Sequence, residues 1–189
     1  MSETVHHGPA ASPEPAPGTG YSIFAGTIAD MTWPAVEAAA AARQPLLVPV
    51  AVIEQHGHHL PLATDVYGAH LYSSLIKTEL GGLGVECQIA PPYYFGLNTT
   101  TGMFPGSLNV TPEAMMTMLS DMLSNCASWG FRRQFIINHH GDPTHNQAIA
   151  RVIQGFRGSD VQVTYVLGGP LGELIEPGYE AAFEEPFPL

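Results

Sequence analysis

Basic residues are scarce in this chain. Six lysines and arginines stand against seventeen aspartates and glutamates, for a formal net charge of −11. No basic stripe is present to neutralise phosphates, so no nucleic-acid partner is expected. Cysteine is nearly absent too, with Cys87 and Cys126 alone. Two isolated cysteines make neither a disulfide framework nor a Cys-rich zinc site. Each reads as a small core residue in a reducing, cytoplasmic setting. No apolar run is long enough to cross a membrane. The N-terminus lacks a basic start followed by an apolar stretch, the mark of a secretory signal. What remains is a chain of 189 residues, 45% of them hydrophobic. That suffices for one domain with a sizeable core.

Residues 1–20 are dominated by Pro, Gly, Ala and Ser. They have little to bury and are expected to form a disordered tail, with His6 and His7 as incidental members. Residues 21–189 then form the folded domain. An Ala-rich helix is predicted from about Thr32 to Arg43, with Thr32 as its cap and Pro34 in its first turn. The apolar run Leu46 to Val52 reads as a strand covered on both faces. Further helices are predicted over Val66–Leu80, Thr111–Trp129 and Asn146–Phe156. Strands are predicted over Val85–Ala90, Phe135–Ile137 and Val161–Leu167. Met115, Met118, Met122 and Cys126 are spaced for one buried helical face. Gly130 is placed to end that helix. Strands alternating with helices predict a single α/β domain with a mainly parallel sheet flanked by helices. The stretch from Gly168 to Leu189 has no clear element.

Seven of the nine histidines lie between residues 56 and 145, mostly in two clusters. The first is Glu54-Gln55-His56-Gly57-His58-His59-Leu60-Pro61-Leu62-Ala63-Thr64-Asp65, beginning where the first strand should end. The second is Asn138-His139-His140-Gly141-Asp142-Pro143-Thr144-His145, beginning where the third strand should end. Sites in parallel α/β sheets form at the carboxyl ends of strands, so the two clusters can converge. Imidazole and carboxylate are the usual ligands of zinc and manganese. Glu54 and His56 share a face if the chain there is extended, as do His140 and Asp142. Asp65 could bridge two ions through its two oxygens. A paired-metal site polarises a carbonyl and activates water, which suits hydrolysis of an unreactive amide. The cluster histidines cannot all be ligands. Some should support ligands or touch substrate, and His59 and His139 are the catalytic candidates.

The first cluster resembles the leading motif of the creatininase (creatinine amidohydrolase) family. Phe104-Pro105-Gly106-Ser107 is similar to that family's Phe-Pro-Gly-Thr turn. Gly130-Phe131-Arg132 followed by Ile136-Ile137-Asn138-His139-His140-Gly141 is similar to its Gly-Phe-Arg…Asn-Gly-His-Gly segment. The likeness runs from about Phe24 to Val166 in the same motif order. It implies that Glu54, Asp65 and His140 hold one divalent metal. It implies that His56, Asp65 and Asp142 hold a second, with Asp142 standing where creatininases proper have Glu. Three departures stand out. His139 and Pro143 replace a usual Gly and Asn. Thr99-Thr100-Thr101 stands where many members carry a Glu-His pair. The terminal His-Ala-Gly…Glu-Thr-Ser stretch is absent, which suggests a missing C-terminal segment, with Glu173, Glu176, Glu180, Glu184 and Glu185 as candidate substitutes.

The resemblance implies a metal-dependent amidohydrolase with two zinc or manganese ions per chain. It would act on a small, cyclic or formyl-like amide and associate as a homo-oligomer, often a hexamer in that family. Two other readings stay open: a metal-binding but inactive fragment or subunit, and a small-ligand-binding module without metal.

Overall fold

The computed structural model describes residues 21–167. The expected tail with His6 and His7, and the stretch beyond Leu167 with its glutamates, lie outside the described residues. The elements follow in chain order. They are α1 (Trp33–Ala41), β1 (Leu46–Val50), α2 (Thr64–Gly82), β2 (Gln88–Ile89), α3 (Pro112–Trp129), β3 (Arg133–Asn138), α4 (Pro143–Gly155) and β4 (Gln162–Leu167). The four strands form one sheet in the order β2-β1-β3-β4, and every pairing is parallel. The expected α/β class is thereby found.

Alternation along the strands divides the core into two layers. Leu46, Val48 and Val50 of β1 and Ile136 of β3 pack with α1, α3 and α4 through Ala40, Leu119, Leu123 and Ile149. Leu47, Ile89 and Ile137 point the other way, against Ile76 and Leu80 of α2. Both faces of the sheet are therefore covered, which is why its central strands read as unbroken apolar runs. Among the described residues no helix is long and apolar enough to cross a membrane.

Several boundaries differ from expectation, each for a local reason. β1 stops at Val50 because the amide of Ala51 turns to the carbonyl of Tyr93 at 2.9 Å. β2 is only two residues long, an edge strand paired through Leu46–Gln88 and Leu47–Ile89. α4 begins three residues before the expected Asn146, because Asp142 caps it and Pro143 occupies its first turn. On α3 the buried stripe runs Met115, Leu119, Leu123, Cys126 and Ala127. Met118 is rotated out of the expected stripe and is 46% exposed. Cys87 and Cys126 are buried and free. Burial pushes the Cys126 thiol up to about 11, so it packs as a hydrophobe rather than reacting.

Strand order places the site. From β1 the chain crosses to β2 on one side, then passes back over β1 to β3 on the other. The connection leaving β1 runs to β2 on one side and the connection leaving β3 runs to β4 on the other, so they diverge between β1 and β3. A crevice opens there at the carboxyl ends, where open α/β sheets bind ligands. Val50 is in register with Asn138, the last residues of their strands. The first histidine-rich loop follows β1 and the second follows β3, so the switch point brings them together.

The left-handed end of α3 gives a direct test of this packing. Gly130 sits at φ +119°, and a Cβ there would lie 3.3 Å from Ala40. Gly130→Ala is expected to cost about 1–2 kcal/mol through backbone strain alone. It should lower the urea midpoint at unchanged slope. An unchanged midpoint would show that this turn relaxes freely.

Candidate functional site

The loop after β1 is held by the segment that precedes α3. The amide of Leu108 donates to Ile53 at 2.9 Å, and the amide of Gln55 donates to Ser107 Oγ at 3.0 Å. Gly106 turns at φ +90° with no room for a Cβ beside Leu62. The Phe104–Ser107 turn thus clamps the Glu54 loop from above. Asp65 lies in the first turn of α2 and is buried. A helix N-terminus favours its negative charge. Beyond β3, Asn138 fixes the second loop. Its side-chain amide nitrogen lies 2.8 Å from the carbonyl of His140, 2.8 Å from Asn146 Oδ1 and 2.9 Å from Tyr165 Oη, and its two hydrogens are shared among these acceptors. The amide of His139 pairs with the Val50 carbonyl at 3.1 Å, which ties this loop to the end of β1.

Glu54, Asp65 and His140 converge, each offering a ligand atom within 4.8 Å of the others. All three are buried. His140 Nδ1 lies 2.9 Å from Glu54 Oε1 and 3.1 Å from Asp65 Oδ2. Its Nε2 lies 3.0 Å from the Leu97 carbonyl. A carbonyl only accepts, so Nε2 carries the hydrogen. Neutral His140 therefore aims the Nδ1 lone pair at two carboxylate oxygens. His56 repeats the pattern. Its Nδ1 donates to the Glu54 carbonyl at 3.1 Å, and its Nε2 faces Asp65 Oδ1 at 3.0 Å. Histidines that ligate metals commonly donate their other N–H in this way.

Acceptors facing acceptors require either a proton or a cation between them. The charge balance of the site reflects this. Burial alone would raise Asp65, but His139, His140 and His56 hold its carboxyl well below the usual range. Burial pulls His140 down, and Asp65 and Glu54 outweigh it, so the net shift is upward. The Asp65 carboxylate also pushes His139 up.

The other expected residues fall in different places. Asp142 does not join the three-residue group. Its Oδ1 accepts the amides of Thr144 at 2.8 Å and His145 at 3.1 Å. Its Oδ2 accepts the Thr99 amide at 2.7 Å and the Thr99 hydroxyl. Four donors meet the oxygens of this carboxylate, and in this arrangement it caps α4. His59 is exposed, its ring beside Gly57, where φ of +75° turns the chain. Among the described residues no ion pair or hydrogen bond links His59 to the carboxylates. His139 does approach, with Nδ1 3.6 Å from Asp65 Oδ1. His70 is structural, accepting from Tyr21 Oη at 2.5 Å and donating to the Ala25 carbonyl at 2.9 Å.

Two residues without an assigned role in the sequence reading matter here. Thr101 donates its hydroxyl to Glu54 Oε2, and Thr99 binds Asp142. Both lie more than forty positions from their partners, and no local spacing signals such contacts. The Leu97 peptide likewise links the two buried imidazoles of the second loop. Its carbonyl takes His140, and its amide donates to His145 Nδ1 at 3.3 Å.

His145 is fully buried, with its Nε2 unpartnered. Burial, and then the nearby His140, lower it from 6.5 to about 3. The unfolded chain thus binds a proton in this window that the folded chain does not. Its contribution to stability is complete above about pH 6.5 and is lost as pH falls, by at most about 1.4 kcal/mol per pH unit. Urea midpoints of metal-free protein between about pH 7.5 and 4.5 check this. His145→Asn should flatten the slope, whereas a slope equal to wild type would assign the acid sensitivity to other groups.

Comparison with known proteins places the chain in a family. The sequence model of the creatininase (creatinine amidohydrolase) family matches residues 29–183. A mycofactocin precursor peptide peptidase of Mycobacterium ulcerans (strain Agy99) is 30% identical over 115 residues, covering 59% of this chain and 42% of its own. A creatinine amidohydrolase of Pseudomonas putida is 27% identical over 125 residues, covering 63% and 45%. The chain thus spans less than half the length of these two curated relatives. A solved structure described as "Creatininase Mn" superposes with a TM-score of 0.61 at 22% identity, covering 81% of this chain and 61% of that one. With the family model matching most of its length, the chain belongs to the creatininase family.

Proposed function

We propose that this protein is a metal-dependent hydrolase that cleaves a C–N bond in a small amide, cyclic or formyl-like. One observation carries the reading. His140 Nδ1 faces Glu54 Oε1 at 2.9 Å and Asp65 Oδ2 at 3.1 Å while its Nε2 is committed to the Leu97 carbonyl. Two carboxylate oxygens and an imidazole nitrogen form a donor set suited to zinc or manganese. Two ligand atoms about 2.1 Å from one tetrahedral ion would stand roughly 3.4 Å apart, close to the spacings found here. The residues therefore fit a divalent ion.

Glu54, Asp65 and His140 would hold that ion, and Asp65 would offer its other oxygen to a second one beside His56. When bound, such ions polarise a carbonyl and lower the pKa of water. The chain's own residues supply the order. Thr101 and His140 orient the Glu54 carboxylate, and the Leu97 carbonyl fixes the His140 tautomer. The start of α2 holds Asp65 ionised, so the ligands need little rearrangement. His59, exposed on the first loop, is the candidate for contacting substrate.

His140→Ala should abolish metal retention after desalting. It should also reduce amide hydrolysis by more than the 10–100-fold that loss of a ligand's supporting partner costs. Elemental analysis checks the first effect. Assays on creatinine, a small formamide and a short peptide check the second. Wild-type protein that takes up no divalent metal would overturn the reading.

The protein is also proposed to self-associate. Tyr67, Leu71 and Leu75 lie four residues apart on the outer face of α2 and are 42%, 55% and 52% exposed. A patch of this kind favours contact with another surface. Light scattering at micromolar concentration should give a multiple of the 20.2 kDa chain mass. A monomer mass would contradict this.

A further inference from the structure

We propose that His145 is a positioning residue for the metal site: by anchoring Leu97 it fixes the tautomer and aim of His140. The inference rests on the metal-dependent reading above, and it leaves every expected ligand in its place.

His145 lies in the first turn of α4 and is fully buried. Its own amide donates to Asp142 Oδ1 at 3.1 Å, so the capped helix end holds its backbone. Its ring faces Leu97. The Leu97 amide donates to His145 Nδ1 at 3.3 Å, and the Leu97 carbonyl accepts from His140 Nε2 at 3.0 Å. These two Leu97 groups flank one Cα, so a rotation that frees one disturbs the other. A carbonyl turned away would no longer hold the hydrogen on His140 Nε2. The hydrogen could then pass to Nδ1, whose lone pair faces Glu54 Oε1 at 2.9 Å and Asp65 Oδ2 at 3.1 Å.

The same contact dictates the tautomer of His145. An amide only donates, so His145 Nδ1 carries no hydrogen, and the neutral ring keeps its hydrogen on Nε2. Nε2 is buried with no partner. A buried donor left unpaired costs stability, and such groups concentrate at functional sites. The contact with Leu97 is kept despite that cost.

The surroundings hold the pair together. A Cβ on Gly96 would lie 2.4 Å from His145 Nδ1 and 2.5 Å from Val52 Cγ1, so glycine just before Leu97 lets the ring reach the amide. The Gly96 carbonyl accepts from the Val110 amide at 3.1 Å, which pins the segment from another side. The His145 ring also meets the His140 ring edge to face, with centroids 5.0 Å apart at 85°. Beyond Leu97 the same loop sends Thr99 to Asp142 and Thr101 to Glu54. The loop anchored by His145 therefore touches His140, Asp142 and Glu54 in turn.

Zinc(II) affinity tests the assignment without a substrate. Chelator-stripped protein competes for zinc(II) with a chromophoric chelator, and circular dichroism checks that each variant is folded. His145→Leu keeps buried bulk and removes the acceptor. His145→Asn returns an acceptor, its Oδ1, near the position of Nδ1. His145→Leu should weaken the tightest-bound ion by about tenfold, the low end of what loss of a supporting partner costs. His145→Asn should recover most of that loss, a rescue that a merely structural role would not produce. Unchanged affinity in folded His145→Leu, or equal loss in both variants, would overturn the inference and leave the metal-dependent reading standing. Nitrogen NMR of the histidine rings in metal-free wild type at mildly alkaline pH needs no variant. It should place the His145 hydrogen on Nε2, and a hydrogen on Nδ1 would likewise overturn the inference alone. No zinc bound by wild type would overturn both.

Discussion

The pairing of β1 with β3 is the constraint on which the site depends. The two strands end together, Val50 beside Asn138, and the next amide, that of His139, still bonds back to Val50. Side chains alternate along a strand, so a slip of one residue would turn His140 away from Glu54 and send its neighbour there instead. The register is protected by burial on both faces. Leu46, Val48 and Val50 must meet one layer of helices and Leu47 the other. The hydrophobic core thus positions the polar site, and Asn138, bonded to His140, Asn146 and Tyr165, carries that precision past the end of the strand.

The site itself works against the fold. Glu54 and Asp65 are buried together, and among the described residues their ion pairs are all with imidazoles. A neutral imidazole is no counter-ion, and the lone pair it turns to a carboxylate adds to the repulsion. Two buried carboxylates and the lone pairs of two neutral imidazoles repel one another when drawn together. Such an arrangement persists where the surrounding structure determines it, as the Phe104–Ser107 clamp and the first turn of α2 do here. Strain of this kind concentrates where function needs it. A cation binding the folded but not the unfolded chain would return stability through mass action.

Much of this was legible in the sequence, and the exceptions have physical causes. The parallel α/β class and the order of elements followed from apolar runs alternating with helical periods. The convergence of Glu54, His56, Asp65 and His140 followed from placing each cluster at the end of a strand. What the sequence did not show is which donors reach each acceptor. Asp142 followed by Pro143 is a helix-start signal in its own right, yet the two-residue spacing from His140 suggested a ligand. A pattern of residue types cannot say which donors will reach a carboxylate first. Thr99 and Thr101 arrive from a loop distant in sequence, and only the folded chain shows that one takes Asp142 and the other Glu54. Met118 failed for a related reason. Methionine at helical spacing fits two adjacent stripes of α3, and packing against the sheet chose the one through Leu119 and Leu123.

Counting lone pairs resolves these cases in one way. A carboxylate offers about four acceptor sites. Asp142 meets four protein donors. Asp65 meets only imidazole nitrogens, two close and one more distant, and two of those nitrogens carry no hydrogen in their neutral forms. Its acceptor capacity is therefore unspent on both oxygens despite burial. The two residues have the same chemistry and similar burial, but different neighbours. The difference lies in what surrounds them: main-chain amides and a hydroxyl at the start of α4, imidazoles whose own hydrogens are tied to carbonyls at the start of α2. A buried carboxylate satisfied by amides supports a helix. One faced by lone pairs keeps acceptor capacity that no protein donor has filled.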